Sequence, residues 1–500
     1  MELLQYVFLF VLNLIYKITG QIGTRVRHII IGISFFLMIC FFFCCYSSEL
    51  FKIDLSYAQK GYINMIPMGV IIIMSIDRPL KAIKWNHIIS IPWFLCGMIF
   101  FVSCLAMDMS DGFMPMAICM LFLFPCFYLV WNNRGDYDTL FLLVAKALTA
   151  SLIVFFIICI LFAPINEHNI IAGRYRGPTG NPNHLGMISA AGVTCALYLI
   201  VKAKRFVWIP MLSCEMAVSL ILLAESRTSL ISIIAQLGIF LIFYLRYYLK
   251  ENDKLRAVVK LLLVFCLIIT CIPINRAILS NAIIPVKEPV TKIVKQAAKE
   301  GKTLAREKRQ AKRAEKAKRS ADINQEVTNL EDTANGESEQ LGTIGERINV
   351  EGADLNQLSS GRIAIWKAYL NEISWKGHGP DYAIQDFDWA HNVFIEFGYR
   401  AGAAVGILYL WVAVYAGTYI FKCLFSKRRA SGEMHYLFSA LAIASFCITS
   451  MLERALFPLD REFIFLYFLA VTPLFYNGRK KWKKKNVYPY MERRKKGKAL

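Results

Sequence analysis

Apolar runs long enough to cross a bilayer recur near residues 28–46, 57–76, 87–106, 112–131, 139–163, 182–201, 206–224, 228–246, 257–275, 391–421, 436–452 and 461–476. A hydrocarbon core about 30 Å thick takes roughly 20 helical residues to span. Only helices and closed barrels satisfy their own backbone groups inside it. Runs of this length and uniformity predict an all-α, polytopic helical membrane protein with about 12 transmembrane helices. A first run, Leu3 to Tyr16, is shorter and either spans or lies in the interface. The long polar stretch 276–390 breaks the rhythm, and no internal repeat is visible.

Composition agrees with the pattern. With 56% hydrophobic residues and a mean hydropathy of +0.45, a 500-residue chain is too apolar to be soluble. The formal net charge of +21 would point to nucleic acid in a soluble domain. Here most of the excess flanks apolar runs or sits in the tail, so it is read as orientation and attraction to anionic lipid, with the bilayer as partner and no nucleic acid. The fourteen cysteines lie in or at the ends of apolar runs and show no metal-site spacing, so they are expected to be packing residues. The N-terminus lacks a basic n-region and a small-residue cleavage site, so no removed signal peptide is expected.

Charge also sets sidedness. The tail Arg479-Lys480-Lys481-Trp482-Lys483-Lys484-Lys485 is placed in the cytoplasm by the positive-inside rule. Counting spans back from it puts Lys427 to Arg429, Arg246 to Arg256, Lys202 to Arg205, Arg134, Lys81 to Lys84 and Lys17 to Arg27 on the same side. The loops 47–56, 107–111, 164–181, 225–227, 276–390 and 453–460 then face outside. The chain accordingly divides into N-terminal helices (1–163), core helices (164–275), one large extracytoplasmic loop (276–390) with a charged insertion at about 287–340, C-terminal helices (391–476) and a basic cytoplasmic tail (477–500).

Within the large loop, the Lys/Arg-rich run Lys295 to Arg319 has the Glu–Lys spacing of an exposed helix. The acidic run Asp322 to Glu339 reads as disordered. Ser359 or Ser360 is placed to cap a helix whose positions Ile363, Trp366, Leu370 and Ile373 share an apolar face, lying on the membrane or against the bundle. Gly377, Gly379 and Pro380 end it with a turn.

The candidate chemistry falls on the outer side. Gly173-Arg174-Tyr175-Arg176-Gly177-Pro178-Thr179-Gly180-Asn181-Pro182-Asn183 combines arginines, which fork onto phosphate oxygens, with glycines that let backbone N–H groups approach an anion. The alternative is a polar turn with interfacial arginines. In Glu225-Ser226-Arg227-Thr228-Ser229 an arginine sits between two apolar runs with almost no loop. It must pair with Glu225, snorkel or face a cavity holding an anion. Arg362 and His391 flank the Gly377-His378-Gly379-Pro380 turn; Asn392 is placed to orient His391, and Glu396 with Arg400 forms an i,i+4 pair. Glu453-Arg454 and Asp460-Arg461-Glu462 read as ion pairs closing the bundle. Glu215 is an intramembrane acid with no visible partner. Asp386-Phe387-Asp388 has the spacing of a metal-holding aspartate pair, but on the side where nucleotide donors are absent that role does not fit.

At these residues the sequence resembles the O-antigen ligase and O-antigen polymerase superfamily of bacterial envelope enzymes. The resemblance rests on Gly177-Pro178-Thr179-Gly180-Asn181-Pro182-Asn183, Ser226-Arg227-Thr228, Arg362 with Trp366, Gly377-His378-Gly379-Pro380, and His391-Asn392 ahead of Glu396-Phe397-Gly398 and Ala401-Gly402, in order over roughly residues 170 to 420. It implies a GT-C-like bundle of about twelve spans with one large outer loop. It also implies transfer between undecaprenyl-diphosphate-linked glycans, donor and acceptor, with no metal and no cofactor. By this resemblance Arg227 and Arg362 match the arginines that engage the lipid diphosphate, and His391 matches the catalytic histidine. Arg174, Arg176, Asn181, Asn183, His378, Asn392 and Glu396 are the expected substrate contacts. The charged insertion departs from the family pattern.

The activity expected is an inverting glycosyltransferase in the bacterial cytoplasmic membrane, extending a surface or capsular polysaccharide, alongside a chain-length regulator or flippase. A ligase moving glycan to another acceptor shares the same donor and chemistry. A lipid-linked sugar flippase or transporter would want charged or broken-helix features near the midplane and repeated halves, which the pattern does not offer.

Overall fold

A computed structural model describes residues 2–51, 55–109, 113–202, 207–248, 254–280, 361–380, 384, 389–425, 434–453, 458–459 and 461–477. The runs Lys295 to Arg319 and Asp322 to Glu339, the serines Ser359 and Ser360, Asp386 to Asp388, Arg454, Asp460 and the basic tail lie outside the described residues.

The described chain is mostly helical. In order it forms α1 (Glu2–Thr19), α2 (Thr24–Tyr46), α3 (Tyr57–Ser75), α4 (His87–Ala106), α5 (Phe113–Arg134, with a π-helical turn at Cys119–Leu123) and α6 (Tyr137–Phe162). A two-stranded hairpin, β1 (Ile170–Ile171) and β2 (Arg174–Tyr175), precedes α7 (Pro182–Lys202), α8 (Trp208–Ala224), α9 (Arg227–Tyr248) and α10 (Lys254–Ser280). The chain resumes with α11 (Arg362–Asn371), α12 (Val393–Ala401), α13 (Ala403–Phe425), α14 (His435–Leu452) and α15 (Glu462–Ala470). Eight of these, α2, α4, α5, α6, α7, α9, α13 and α14, are long and apolar enough to cross a membrane. α7 is buried over nearly its whole length, which makes it the centre of the bundle. All fourteen cysteines are free thiols.

The short basic loops gather at one end. Arg27 is fully buried there, donating to the carbonyls of Ile22 and Ile76 at 2.8 and 2.6 Å. Arg134 reaches His28 at 2.5 Å and lies 3.7 Å from Asp136, while Lys202 pairs with Asp138 at 2.9 Å. Across the same end runs α1. Asn13 accepts from the Leu80 N–H at 2.7 Å and Gln5 from the Ile83 N–H at 3.3 Å, so two points about 12 Å apart on one helix touch one loop. Along α1, Tyr6, Phe10, Leu14 and Ile18 are exposed on one face.

Two expectations are corrected. The run 391–421 is not one span. Gly402, at φ +106°, divides it into α12 and α13, and only α13 has the length to cross. α12 folds back along the first turns of α13, so that a Cβ on Gly406 would lie 2.7 Å from the Phe394 carbonyl and 2.8 Å from the Gly398 Cα. The break holds because its backbone groups are satisfied elsewhere. His378 N–H and Gly379 N–H donate to the Tyr399 and Arg400 carbonyls at 3.0 and 3.1 Å, and Ala403 N–H donates to Ser374 at 2.9 Å. Gly377 is required at this docking, since a Cβ there would meet the Arg400 carbonyl oxygen at 2.4 Å.

The second correction concerns α11. It begins at Arg362 behind Gly361, at φ +78°, and the expected serine cap falls on Ser359 and Ser360, outside the described residues; what differs is its buried face. The face turned inward carries Tyr369, which packs with Ile365 and Ala368 against Tyr399, while Ile363 and Leu370 are 41% and 54% exposed. Tyr369 decides the orientation because its ring meets Tyr399 edge-on at 4.7 Å, anchoring α11 on α12.

Candidate functional site

The end of the bundle away from the basic loops assembles the singled-out residues. The hairpin turns through Ala172 and Gly173, both left-handed, and aims β2 at the α8–α9 turn. Arg174 donates from Nε to the Ala224 carbonyl at 2.9 Å and from Nη2 to Asn183 Oδ1 at 2.6 Å. Arg176 goes elsewhere, donating twice to the His168 carbonyl at 3.1 and 2.7 Å and tying the neck of the hairpin. Asn181 caps α7, its Oδ1 accepting from the Asn183 N–H at 2.8 Å ahead of Pro182, a residue suited to the first helical position. Of the four expected contacts in this segment, Arg174 and Asn183 therefore face the site, and Arg176 and Asn181 hold the local turn.

The α8–α9 turn needs a left-handed residue, and Glu225 takes φ +46° to end α8. Ser226 then precedes Arg227, the first residue of α9 and half-buried. The turn packs so tightly on α7 that a Cβ at Gly186 would lie 2.5 Å from Ser229 Oγ and 2.7 Å from Ser226 Cβ. The start of a helix carries partial positive charge, so Arg227 and the α9 terminus present the same sign in the same place.

Glu453, just past the end of α14, ties these pieces together. Its Oε1 accepts from Arg362 Nη2 at 2.9 Å and from Thr228 Oγ1 at 3.1 Å. One carboxylate oxygen thus joins α11, the start of α9 and the end of α14. Burial pushes the Glu453 carboxyl above the usual carboxylate range, against the opposite pull of Arg362, the hydrogen bond from Thr228 and, more weakly, Arg174. The sequence reading had Glu453 in an ion pair closing the bundle; its partner is Arg362, 91 positions away. The available signal was an acid placed directly at the end of an apolar run.

Two residues before Glu453, the Met451 carbonyl accepts from Asn392 Nδ2 at 3.3 Å, which brings the start of α12 to the same place. His391 is half-buried and left-handed, at φ +49°. An L-residue there carries a conformational cost of roughly 1–2 kcal/mol. Its two neighbours enforce it: Ala390 N–H donates to Glu396 Oε2 at 2.8 Å, and Asn392 caps α12 by accepting from Phe394 and Ile395 N–H at 3.0 and 3.2 Å.

Three of the expected substrate contacts have protein partners in this structure. Asn392 is buried and its oxygen is occupied by the cap. Glu396, 1% exposed, forms the foreseen i,i+4 pair with Arg400, whose guanidinium lies over Trp389 at 4.3 Å and donates to the Pro380 carbonyl. His378 stacks on Tyr399 with centroids 4.5 Å apart, and its Nε2 lies 2.6 Å from the Glu372 carbonyl. Glu396 and Asn392 thereby hold the chain on either side of His391. In the bundle interior, Glu215 finds the partners the sequence did not reveal, Ser219 at 2.7 Å and Asn275 at 2.5 Å.

Such an arrangement can hold an anion against Arg362, Arg227 and Arg174 and place an imidazole nearby to take a proton. No family model matches this sequence, and no curated protein was found to match it.

Proposed function

We propose that this chain is a membrane glycosyltransferase joining undecaprenyl-diphosphate-linked glycans on the outer face of a bacterial cytoplasmic membrane, as a polymerase of surface polysaccharide repeat units. The observation that carries the reading is the convergence on Glu453 of Arg362, the Arg227–Thr228 turn and Arg174, with Asn392, the residue after His391, bonded to the Met451 carbonyl two residues before Glu453, at the end of the bundle opposite the basic loops. The basic loops would face the cytoplasm and the cluster the outside. In that orientation the chain crosses the membrane about twelve times, and the 276–390 segment is its large outer loop.

In the proposed reaction the acceptor sugar hydroxyl attacks the anomeric carbon of the donor, the glycosidic C–O bond forms as the bond to the lipid diphosphate breaks, and configuration inverts. His391 accepts the hydroxyl proton, a role worth roughly 10²–10⁴ in rate. Arg227 and Arg362, with Arg174 behind them, neutralise the charge that grows on the departing diphosphate. Purified protein in nanodiscs, supplied with lipid-diphosphate-linked repeat units, should give polymer. His391→Ala and Arg227→Ala should lose it while protein level and membrane insertion stay intact, and wild-type product from either variant removes that residue from the mechanism. In a deletion strain, single lipid-linked repeats should accumulate; long unattached polymer would instead mark a ligase.

A further inference from the structure

The proposed diphosphate site already contains an anion of the protein's own. We infer that Glu453 is a stand-in for the diphosphate, holding Arg362 and Thr228 in place while the site is empty and yielding them to the substrate by taking up one proton from solvent. The inference rests on the functional reading above.

The geometry supports each part. Glu453 Oε1 occupies the Arg362 guanidinium at 2.9 Å and the Thr228 hydroxyl at 3.1 Å, the donors that a phosphate oxygen would need. Glu453 is 6% exposed, so burial disfavours its ionised form once those donors turn to a ligand. Its ionised form is held chiefly by Arg362 on α11, with Arg174 on β2 adding a weaker attraction. Among the described residues, Arg227 and Glu225 at the α8–α9 turn, His391 ahead of α12, the Glu396–Arg400 pair on α12 and Lys367 on α11 are further charged or titratable groups on the elements gathered there. A dianion entering beside Glu453 raises the cost of its charge further, because like charges in a shared desolvated site cannot both persist. Without the carboxylate Arg362 and Thr228 would lose the acceptor they share, so Glu453 serves as a positioning residue.

Proton uptake is measurable. The probe is an undecaprenyl-diphosphate-linked sugar, a diphosphate diester whose own charge does not change near neutral pH, titrated calorimetrically into the full chain in nanodiscs. Two buffers of different ionisation enthalpy give the proton count. Wild type is expected to take up about one proton per ligand, and its Kd to rise about tenfold per pH unit above the Glu453 pKa. Glu453→Gln should bind with no net uptake attributable to this site and with a flat Kd over that range. Thr228→Val leaves the carboxylate but removes one of its hydrogen bonds, so the rise in Kd should begin at higher pH. It serves as the test if the Gln variant fails to accumulate, and an unmoved onset would overturn the proposal. Ligand binding to wild type without proton uptake overturns the inference alone. No binding to any of the proteins overturns it together with the functional reading.

Discussion

Gly406→Ala tests whether the fold-back of α12 on α13 is what positions His391. The added methyl would start 2.7 Å from the Phe394 carbonyl oxygen, 2.8 Å from Gly398 Cα and 2.9 Å from Gly398 N. Carbon contacts settle at about 3.5–4 Å, so the two helices must separate by most of an ångström, and every opposing atom is backbone and unable to rotate away. Overpacking of this kind costs roughly 1–3 kcal/mol. Replacing glycine by alanine in a helix returns about 1 kcal/mol at most. The net expectation is a loss of about 1–2 kcal/mol, with His391 carried out of register because Asn392 and Ala390 move with α12. Gly417 is the control: on the same helix α13 nothing lies within 4 Å of its added Cβ. Gly417→Ala should therefore be neutral or raise stability by a few tenths to about 1 kcal/mol. Thermal unfolding of purified protein in nanodiscs, followed by intrinsic fluorescence, reads both. A Gly406→Ala protein as stable as its Gly417→Ala counterpart would refute the packing argument, and full product formation would refute the link to His391.

Further outcomes follow from the buried charges. Arg362→Ala leaves the Glu453 carboxyl buried with less compensation, so its native pKa, already raised, moves higher. An acid whose pKa is raised by folding weakens the native state as pH climbs from the usual carboxylate range to the native value. The destabilisation should therefore be small at pH 5 and grow toward pH 8, and Glu453→Gln added to Arg362→Ala should remove most of that pH dependence in unfolding curves. A pH-independent loss would contradict the assignment. Glu396→Ala strands Arg400, 2% exposed, and frees the Ala390 N–H. Breaking one partner of a buried pair costs about 3–5 kcal/mol, so the variant should unfold well below wild type and lose product, whereas a surface change such as Lys367→Ala should do neither. Asn275→Ala removes two hydrogen bonds to Glu215 and Ser219. It should lower stability by about 1–3 kcal/mol without changing the pH dependence of product formation.

The grouping of the loops at the two ends of the bundle and the candidate site residues were legible to different depths. The basic residues of separate loops, Arg27, Arg134 and Lys202 among them, do meet at one end, as counting apolar runs requires. Arg227, Arg362, Arg174 and His391 were visible because a cation or imidazole next to an apolar run is costly without a partner or a use. The Glu396–Arg400 pair was foreseen from its i,i+4 spacing, whereas its burial and the cap that Asn392 gives α12 came from the tertiary structure, with the break at Gly402. That break had a sequence signal, a Glu396–Arg400 pair and Ala401-Gly402 inside one apolar run, and it was outweighed by the length of the run.

The sequence alone determined that this is a helical protein with helices able to cross a membrane, because hydrophobicity adds up residue by residue along the chain and a bilayer tests that sum over about 20 residues. Only the tertiary structure decided that Arg362 meets Glu453, that α12 turns back on α13, and that α1 lies across the bundle. Those outcomes depend on which distant surfaces fit, on glycines that let backbones touch and on buried polar groups finding partners, and no local window of the chain records them.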